Sequence, residues 1–593
     1  MNKNILVVTS ALAMTACVVL SGCEKKQKDT YVDAYDYIGF MDKAEDGTQS
    51  RPSADYAALA VDGQFSKYRV LLEDGKPYLD IDGVKGYVDD RFYWEETSNT
   101  LYFTNASVTY TVKKDGTKLD CSDGSSEELG YSAMAFDDDN CYVSMELVDK
   151  FDDVDYTLYK SDSSNVPQTM RIGYASGEYK RAKATKENGL RTGADTSKAV
   201  IVKVKEGSTV TVLEEKDDWY KAQSEDGFVG YVDKKFYEDA FTDKVEREND
   251  DDTYTHNLMD GKVKLAWHQI TAFGANDTFD DATKDMKGIN VICPTWYSII
   301  DTEGNIQNLA SPAYVDWAHA KGLKVWALAD DFGTADDGTK FVNKVIVTRD
   351  GRKNLIDNLV KAVVGCGADG LNLDYEYIGV NQGDSYRQFL RELSIECRKS
   401  NIVLSINNYV PSDWSSYYGM DQQRLLADYV VVMSYDEHTN ASKESGPVAS
   451  IPFVEKAMKD SVENVKDSSR VIMGIPFYTR VWKETPEQFV TDGSEIIEDS
   501  VNGNYALSSE AVSMDVAKSS YTAMNAEPVW NEETGCNFVY YEYNNTRYLM
   551  WLEDKDSIKR KIELANEYEV GGIACWKLTM ENADVWPVIE SFK

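Results

Sequence analysis

A chain of 593 residues is too long for a single hydrophobic core, and about three to four domains is the expectation. Its formal net charge of −38 argues against nucleic acid or an anionic membrane surface as a partner, because both would repel it. With four His in all and no Cys pair at zinc-ligand spacing, no metal centre and no cofactor is expected.

The N-terminus reads as a targeting segment. Lys3 supplies a positive charge, Ile5 to Leu20 is apolar, and Leu20-Ser21-Gly22-Cys23 follows. That tetrapeptide resembles a bacterial lipobox. The resemblance implies removal of residues 1–22, lipidation of Cys23, and an extracytoplasmic chain held by lipid on the outer face of a bacterial cell membrane. No other run approaches the ~18 apolar residues that span a bilayer. Residues 23–50 are polar and lack an apolar period, so a flexible spacer is expected there.

Residues 51–165 carry short alternating runs such as Thr100-Leu-Tyr-Phe-Thr, punctuated by Asp74-Gly75, Asp82-Gly83 and Asp115-Gly116 turns. The order of strands around Tyr93-Trp94 distantly resembles the N-terminal domain of copper amine oxidases. No copper chemistry comes with it, since the region contains no His. Cys121 and Cys141 could pair in an oxidising compartment, whereas Cys293, Cys366 and Cys575 have apolar neighbours and read as buried thiols. Over 175–242, Leu190-Arg191, Val200-Ile-Val-Lys-Val, Val210-Thr-Val-Leu, Trp219-Tyr220 and Gly230-Tyr231-Val232 resemble a bacterial SH3 domain in order and spacing. Such a barrel implies a contact with the cell wall, with Trp219 and Tyr231 as an aromatic patch or as core.

After an acidic linker at Glu246 to Asp252, strands and helices alternate to the C-terminus. Strands are expected at Val263–Trp267, Gly288–Thr295, Lys324–Ala329, Gly370–Glu376, Ile402–Asn407, Tyr429–Tyr435, Val471–Phe477 and Gly572–Lys577. Ser311-Pro312 marks a helix start and Gly322 its stop, while Leu355 to Val364 repeats apolar residues at helical spacing. Eight such units predict a TIM (β/α)8 barrel over 255–593, preceded by small all-β domains, with the site at the C-terminal strand ends.

Within the fourth unit, Asp369-Gly-Leu-Asn-Leu-Asp-Tyr-Glu376 alternates polar and apolar residues. A period of two sends Asn372, Asp374 and Glu376 to one face and Leu371, Leu373 and Tyr375 to the other. Two carboxylates so close cannot titrate independently, which is one way to hold a Glu protonated as a general acid near neutral pH.

This segment resembles the DGxDxDxE signature of glycoside hydrolase family 18. Met433-Ser-Tyr435-Asp436 is similar to that family's sixth-strand MxYD, Gly474-Ile-Pro-Phe-Tyr478 to its seventh-strand GxPxY, and Trp576 to the Trp ending strand eight. The resemblance implies Glu376 as general acid, Asp374 as the residue that orients the substrate's acetamide, and Tyr435 as a donor to the acetamido oxygen. It places Trp576 under the reactive sugar, with Asn372, Met433, Asp436 and Tyr478 as further substrate contacts. Asn372 departs from the more usual Asp; with one negative charge fewer, Asp374 should ionise more readily. The Asn form, with Pro294-Thr-Trp296 and Trp551-Leu-Glu-Asp, is more similar to the spore-cortex and cell-wall branch of the family.

The implied activity is retaining hydrolysis of β-1,4 N-acetylglucosaminyl bonds in peptidoglycan fragments or chitin-type oligosaccharides, through an oxazolinium. The alternatives are an endo-β-N-acetylglucosaminidase on N-glycans and a non-hydrolytic wall-binding or glycan-binding lipoprotein.

Overall fold

The computed structural model describes residues 29–44, 46–246, 253–499 and 503–593. The expected signal segment 1–22, Cys23 and all but the first residue of the acidic linker lie outside the described residues. The chain divides into two compact units, Met1–Leu79 with Asp153–Glu248 and Asp80–Asp152 with Asn249–Lys593. Residues 51–165, expected as one β-rich domain, are therefore shared between them.

In the first unit, seven antiparallel strands run from Gly177–Lys183 to Phe241–Val245 around Leu190, Val202, Val210 and Phe228. Gly230 permits the close approach that this sheet needs: a Cβ there would lie 2.6 Å from the Arg191 carbonyl oxygen. Trp219 and Tyr231 are both half-buried, so neither is wholly core. The spacer expectation fails for its described part. A helix at Ala34–Ile38, capped by Asp33, buries Ala34 in the same cluster as Leu190, and Tyr31 bridges to Val200. A short polar segment becomes ordered once an existing apolar surface receives its few small side chains, which no local periodicity announces.

In the second unit, strands at Phe92–Glu95, Thr100–Thr104, Thr109–Lys113, Lys118–Cys121 and Ser126–Glu128 form a sequential antiparallel meander. Asp82-Gly83 is not a hairpin turn. The Asp80 side chain accepts from the Asp82 and Gly83 N–H groups and opens the helix Ile81–Tyr87. Cys121 and Cys141 are both free thiols, as are the buried Cys293, Cys366 and Cys575.

The rest is a closed parallel barrel of β1 (Val263–His268), β2 (Val291–Ile299), β3 (Lys324–Asp330), β4 (Gly370–Asp374), β5 (Val403–Tyr409), β6 (Tyr429–Met433), β7 (Val471–Pro476) and β8 (Gly572–Trp576). Pairing of β1 with both β2 and β8 closes the ring. The strands are near-continuous apolar runs, such as Tyr-Val-Val-Val-Met in β6, because both faces are covered. The eight expected strands are all present, with ends shifted by up to four residues. The shift that matters is in β4, which stops at Asp374 and leaves Glu376 on the following loop.

Helix α1 (Pro312–Ala320) starts where Ser311 accepts from the Tyr314 N–H, with Pro at its first turn. Helix α2 (Arg349–Cys366) is capped by Thr348 and ends at Gly367, whose φ of 79° suits glycine. Its Leu355, Ile356, Leu359 and Val363 are buried. Helix α3 (Gly383–Lys399) follows the loop that carries Glu376.

The meander packs against α2 and α3. Fully buried Arg352 donates to Glu95 at 2.7 Å and to Glu392 at 3.2 Å, and lies against the Tyr93 and Tyr102 rings. Tyr93 and Ser385 share a hydrogen bond of 2.9 Å, and Gln388 donates to Thr104 at 2.8 Å.

Strict β/α alternation does not continue to the C-terminus. Between β7 and the helix Lys555–Glu567 the chain inserts a six-stranded antiparallel sheet, from Tyr478–Pro486 to Thr546–Leu552, with the helix Met514–Ala523 packed on its Val481, Val539 and Met550.

Candidate active site

The strands lift polar side chains to one end of the barrel, where a cleft of about 460 Å³ opens. β1 and its continuation supply Trp267 and Gln269, β3 supplies Asp330, β4 and its loop Asp374 and Glu376, β5 Asn407 and Tyr409, β6 and its loop Met433, Tyr435 and Asp436, and β8 Trp576. Tyr478 stands behind these and donates its phenolic hydrogen to Asp436.

Asn372 lies beneath the cleft, fully buried. Its Oδ1 accepts from Trp267 Nε1 at 3.0 Å, and its Nδ2 donates to Ser405 Oγ at 2.9 Å and Asn407 Oδ1 at 2.8 Å. The position therefore uses both donor and acceptor capacity, which a carboxylate could not supply. Register explains the meeting: Asn372 pairs with Ser405 across β4 and β5, so Asn407 points inward one step nearer the cleft. Asn407 Nδ2 then reaches Asp374 Oδ1 at 2.9 Å.

Asp374 is 6% exposed, and burial together with the neighbouring Glu376 holds it well above the usual carboxylate range. Desolvation is the largest influence at Asp374, and the charge missing at position 372 does not offset it. Glu376 is also raised, first by burial; the hydrogen bond from Tyr409 opposes this, and the charges of Asp436 and Asp330 add to it. Tyr409 donates to Glu376 Oε2 at 2.8 Å.

The Glu376 backbone is fixed independently of its side chain. Its N–H donates to Asp331 Oδ1 at 3.0 Å, and its carbonyl accepts from Tyr418 at 2.7 Å. Asp331 is wholly buried and also accepts from the Tyr377 N–H at 2.8 Å; burial moves it up to about 7 against those two bonds. Asp330 accepts from Ser298 at 2.7 Å.

The Trp576 ring meets Trp267 edge-on at 5.7 Å and presents a half-buried surface to the cleft, so it is not plain core. Tyr435 packs edge-on to Tyr478 at 6.4 Å, and burial pushes its phenol far above the ordinary range, so it stays a hydrogen-bond donor.

The cleft thus gathers Glu376, Asp374, Tyr435, Met433, Asp436 and Trp576, with Asn372 and Tyr478 as supports behind it. Sequence reasoning missed Asn407, Tyr409, Asp331 and Trp267. The inward parity of Ser405, Asn407 and Tyr409 was available in the sequence; the Asp331 contact was not, because it depends on how two loops cross. A carboxyl of raised proton affinity at the mouth and a buried hydrogen-bonded one below it are the equipment for acid catalysis on a neutral, polar substrate.

Residues 301–581 match the model for glycosyl hydrolases family 18, and residues 189–238 that for a bacterial SH3 domain. An uncharacterized glycosylase, YvbX, of Bacillus subtilis (strain 168) is 25% identical over 340 residues, covering 56% of this chain and 92% of that one. The cortical fragment-lytic enzyme of Bacillus anthracis is 23% identical over 262 residues, covering 42% and 55%. A chitinase from Chromobacterium violaceum ATCC 12472 aligns with a TM-score of 0.47 and 18% identity over 56% of this chain and 98% of that structure. The chain carries a family 18 domain and is a glycoside hydrolase.

Proposed function

Starting from the family 18 glycosyl hydrolase domain at residues 301–581, we propose that this chain is a retaining glycosidase for β-1,4-linked N-acetylglucosaminyl bonds, acting through an oxazolinium. The observation that carries the reading is the depth order of the two acids. Half-buried Glu376 faces the cleft under a hydrogen bond from Tyr409, while Asp374 sits lower, almost wholly buried and held by Asn407.

Burial and the neighbouring acids let Glu376 hold its proton to higher pH than an ordinary glutamate, and in that protonated form it can give the proton to the glycosidic oxygen. Asp374 is too enclosed to attack carbon freely, but is well placed to accept from an acetamide N–H. The substrate's own carbonyl oxygen then attacks C1, the C1–O bond breaks, and the positive charge spreads over the oxazolinium. Tyr435 donates to the acetamido oxygen and Trp576 forms the apolar floor. Water, deprotonated by the now ionised Glu376, opens the ring from the opposite face, so configuration is retained.

Peptidoglycan fragments are the favoured substrate and chitin-type oligosaccharides the second; the name of the cortical fragment-lytic relative supports the first. Lipid anchoring through Cys23 would put the cleft outside the membrane. The SH3-like unit, with a cavity of about 440 Å³ beside Trp219, Asp218 and Asp233, would hold the wall.

Glu376→Gln should lower kcat by about 10²- to 10⁴-fold, the range for loss of a general acid, while leaving the affinity for a chitooligosaccharide nearly unchanged. Calorimetric binding beside single-turnover hydrolysis measures both, and a variant that turns over at the parent rate would end the assignment.

A further inference from the structure

Lys577 directly follows Trp576, which lines the cleft, and is half-buried. Its ammonium donates to the side-chain oxygen of Gln269, a residue that lines the cleft. Lysine is a donor only, so the Gln269 amide must turn its oxygen to Lys577, and its NH2 group is left as a second donor at the same spot. Among the described residues no carboxylate lies within ion-pair distance of Lys577, and burial alone pulls its ammonium below the usual lysine range.

The surroundings make this lysine unusual. The cleft wall carries the carboxyl groups of Asp330, Asp374, Glu376 and Asp436 and no Lys or Arg. An anionic glycan would meet a chain of net charge −38 and a cleft wall that carries acids and no cation. A cation beside an amide donor, next to the sugar floor at Trp576, is where such a glycan could be held against that repulsion.

We propose that Lys577, with Gln269, is the specificity determinant of the cleft and receives the carboxylate of an O-lactyl ether on the saccharide unit adjoining the one over Trp576. The inference rests on the glycosidase reading above and narrows it: the substrate is a carboxylate-bearing N-acetylhexosamine chain rather than neutral chitin. Lys577 touches the substituent and takes no part in bond breaking.

The test uses the full chain and three soluble oligosaccharides of equal length: neutral N-acetylglucosamine oligomer, an alternating oligomer with lactyl carboxylates, and the same oligomer with those groups converted to amides. Lys577→Gln is expected to lower kcat/KM on the carboxylate substrate by about tenfold, a typical value for one partly exposed charged hydrogen bond, and on the other two by less than about twofold. Lys577→Arg should recover most of the loss, and added salt should reduce the parent's preference. A Lys577→Gln loss that falls equally on all three substrates would overturn the inference while leaving the glycosidase reading intact. A parent chain inert toward all three would refute that reading and the inference with it.

Discussion

At the scale of single residues, the acid's protonation is set by opposing contacts. Burial and the acids around it raise Glu376, and the Tyr409 hydroxyl, by stabilising the carboxylate, pulls it back. Tyr409→Phe removes this opposing contact together with a longer bond of 3.3 Å to the Glu376 carbonyl, which Tyr418 also holds. Because a general acid works in its protonated form, activity is lost as pH rises through its pKa, and a higher pKa moves that alkaline limb upward. The pH profile of kcat for Tyr409→Phe should therefore show its alkaline limb at higher pH than the parent's, and an unmoved or lowered limb would contradict the assignment. Asn372 illustrates the same balance from the other side: its amide satisfies Trp267, Ser405 and Asn407 at once, and so orders the layer on which Asp374 rests.

At the scale of elements, the loop bearing Glu376 leads into α3, and α2 and α3 are fixed by the meander through Arg352. A guanidinium with no exposure, shared by Glu95 and Glu392, is stable only as a set, since removing one partner strands buried charge. Arg352→Met should cost about 3 to 5 kcal/mol, and adding Glu95→Gln should recover part of it. Urea denaturation followed by tryptophan fluorescence reads both. A double variant as unstable as the sum of its parts would mean that the residues act independently. The six-stranded insertion behaves differently, because its Val481, Val539 and Met550 form a small core of their own with the helix Met514–Ala523.

At the scale of the whole molecule, the proposed reading gives the first unit a wall contact and the second the cleft. With a tether at Cys23, Cys23→Ser should move the protein from the membrane fraction to the medium. In that untethered chain Trp219→Ala should reduce retention on purified sacculi severalfold if the cavity beside Trp219 holds the wall. Fractionation and sacculus sedimentation read the two steps separately, and persistence of the Cys23→Ser chain in the membrane would refute the tether.

Much of the barrel was legible in the chain. Apolar strand runs, the Ser311-Pro312 start and the Gly322 stop are local signals, and eight strand runs in order leave few folds to choose from. The parity of Asn372 and Asp374 was legible for the same reason, since a pleat fixes alternate faces without reference to distant residues; Glu376 lies past the strand end. The insertion was hidden because its amphipathic strands follow a barrel strand without a break in composition, and a period of two cannot say which sheet a strand joins. The ionisation of Asp374, the bonds of Asp331 to the Glu376 loop and the placement of Lys577 beside Gln269 were decided only in three dimensions. Sequence by itself determined which residues stand on the inner face at each strand end. Tertiary structure alone decided how deeply each is buried and which neighbours it meets, because desolvation and hydrogen bonding depend on contacts between residues far apart along the chain.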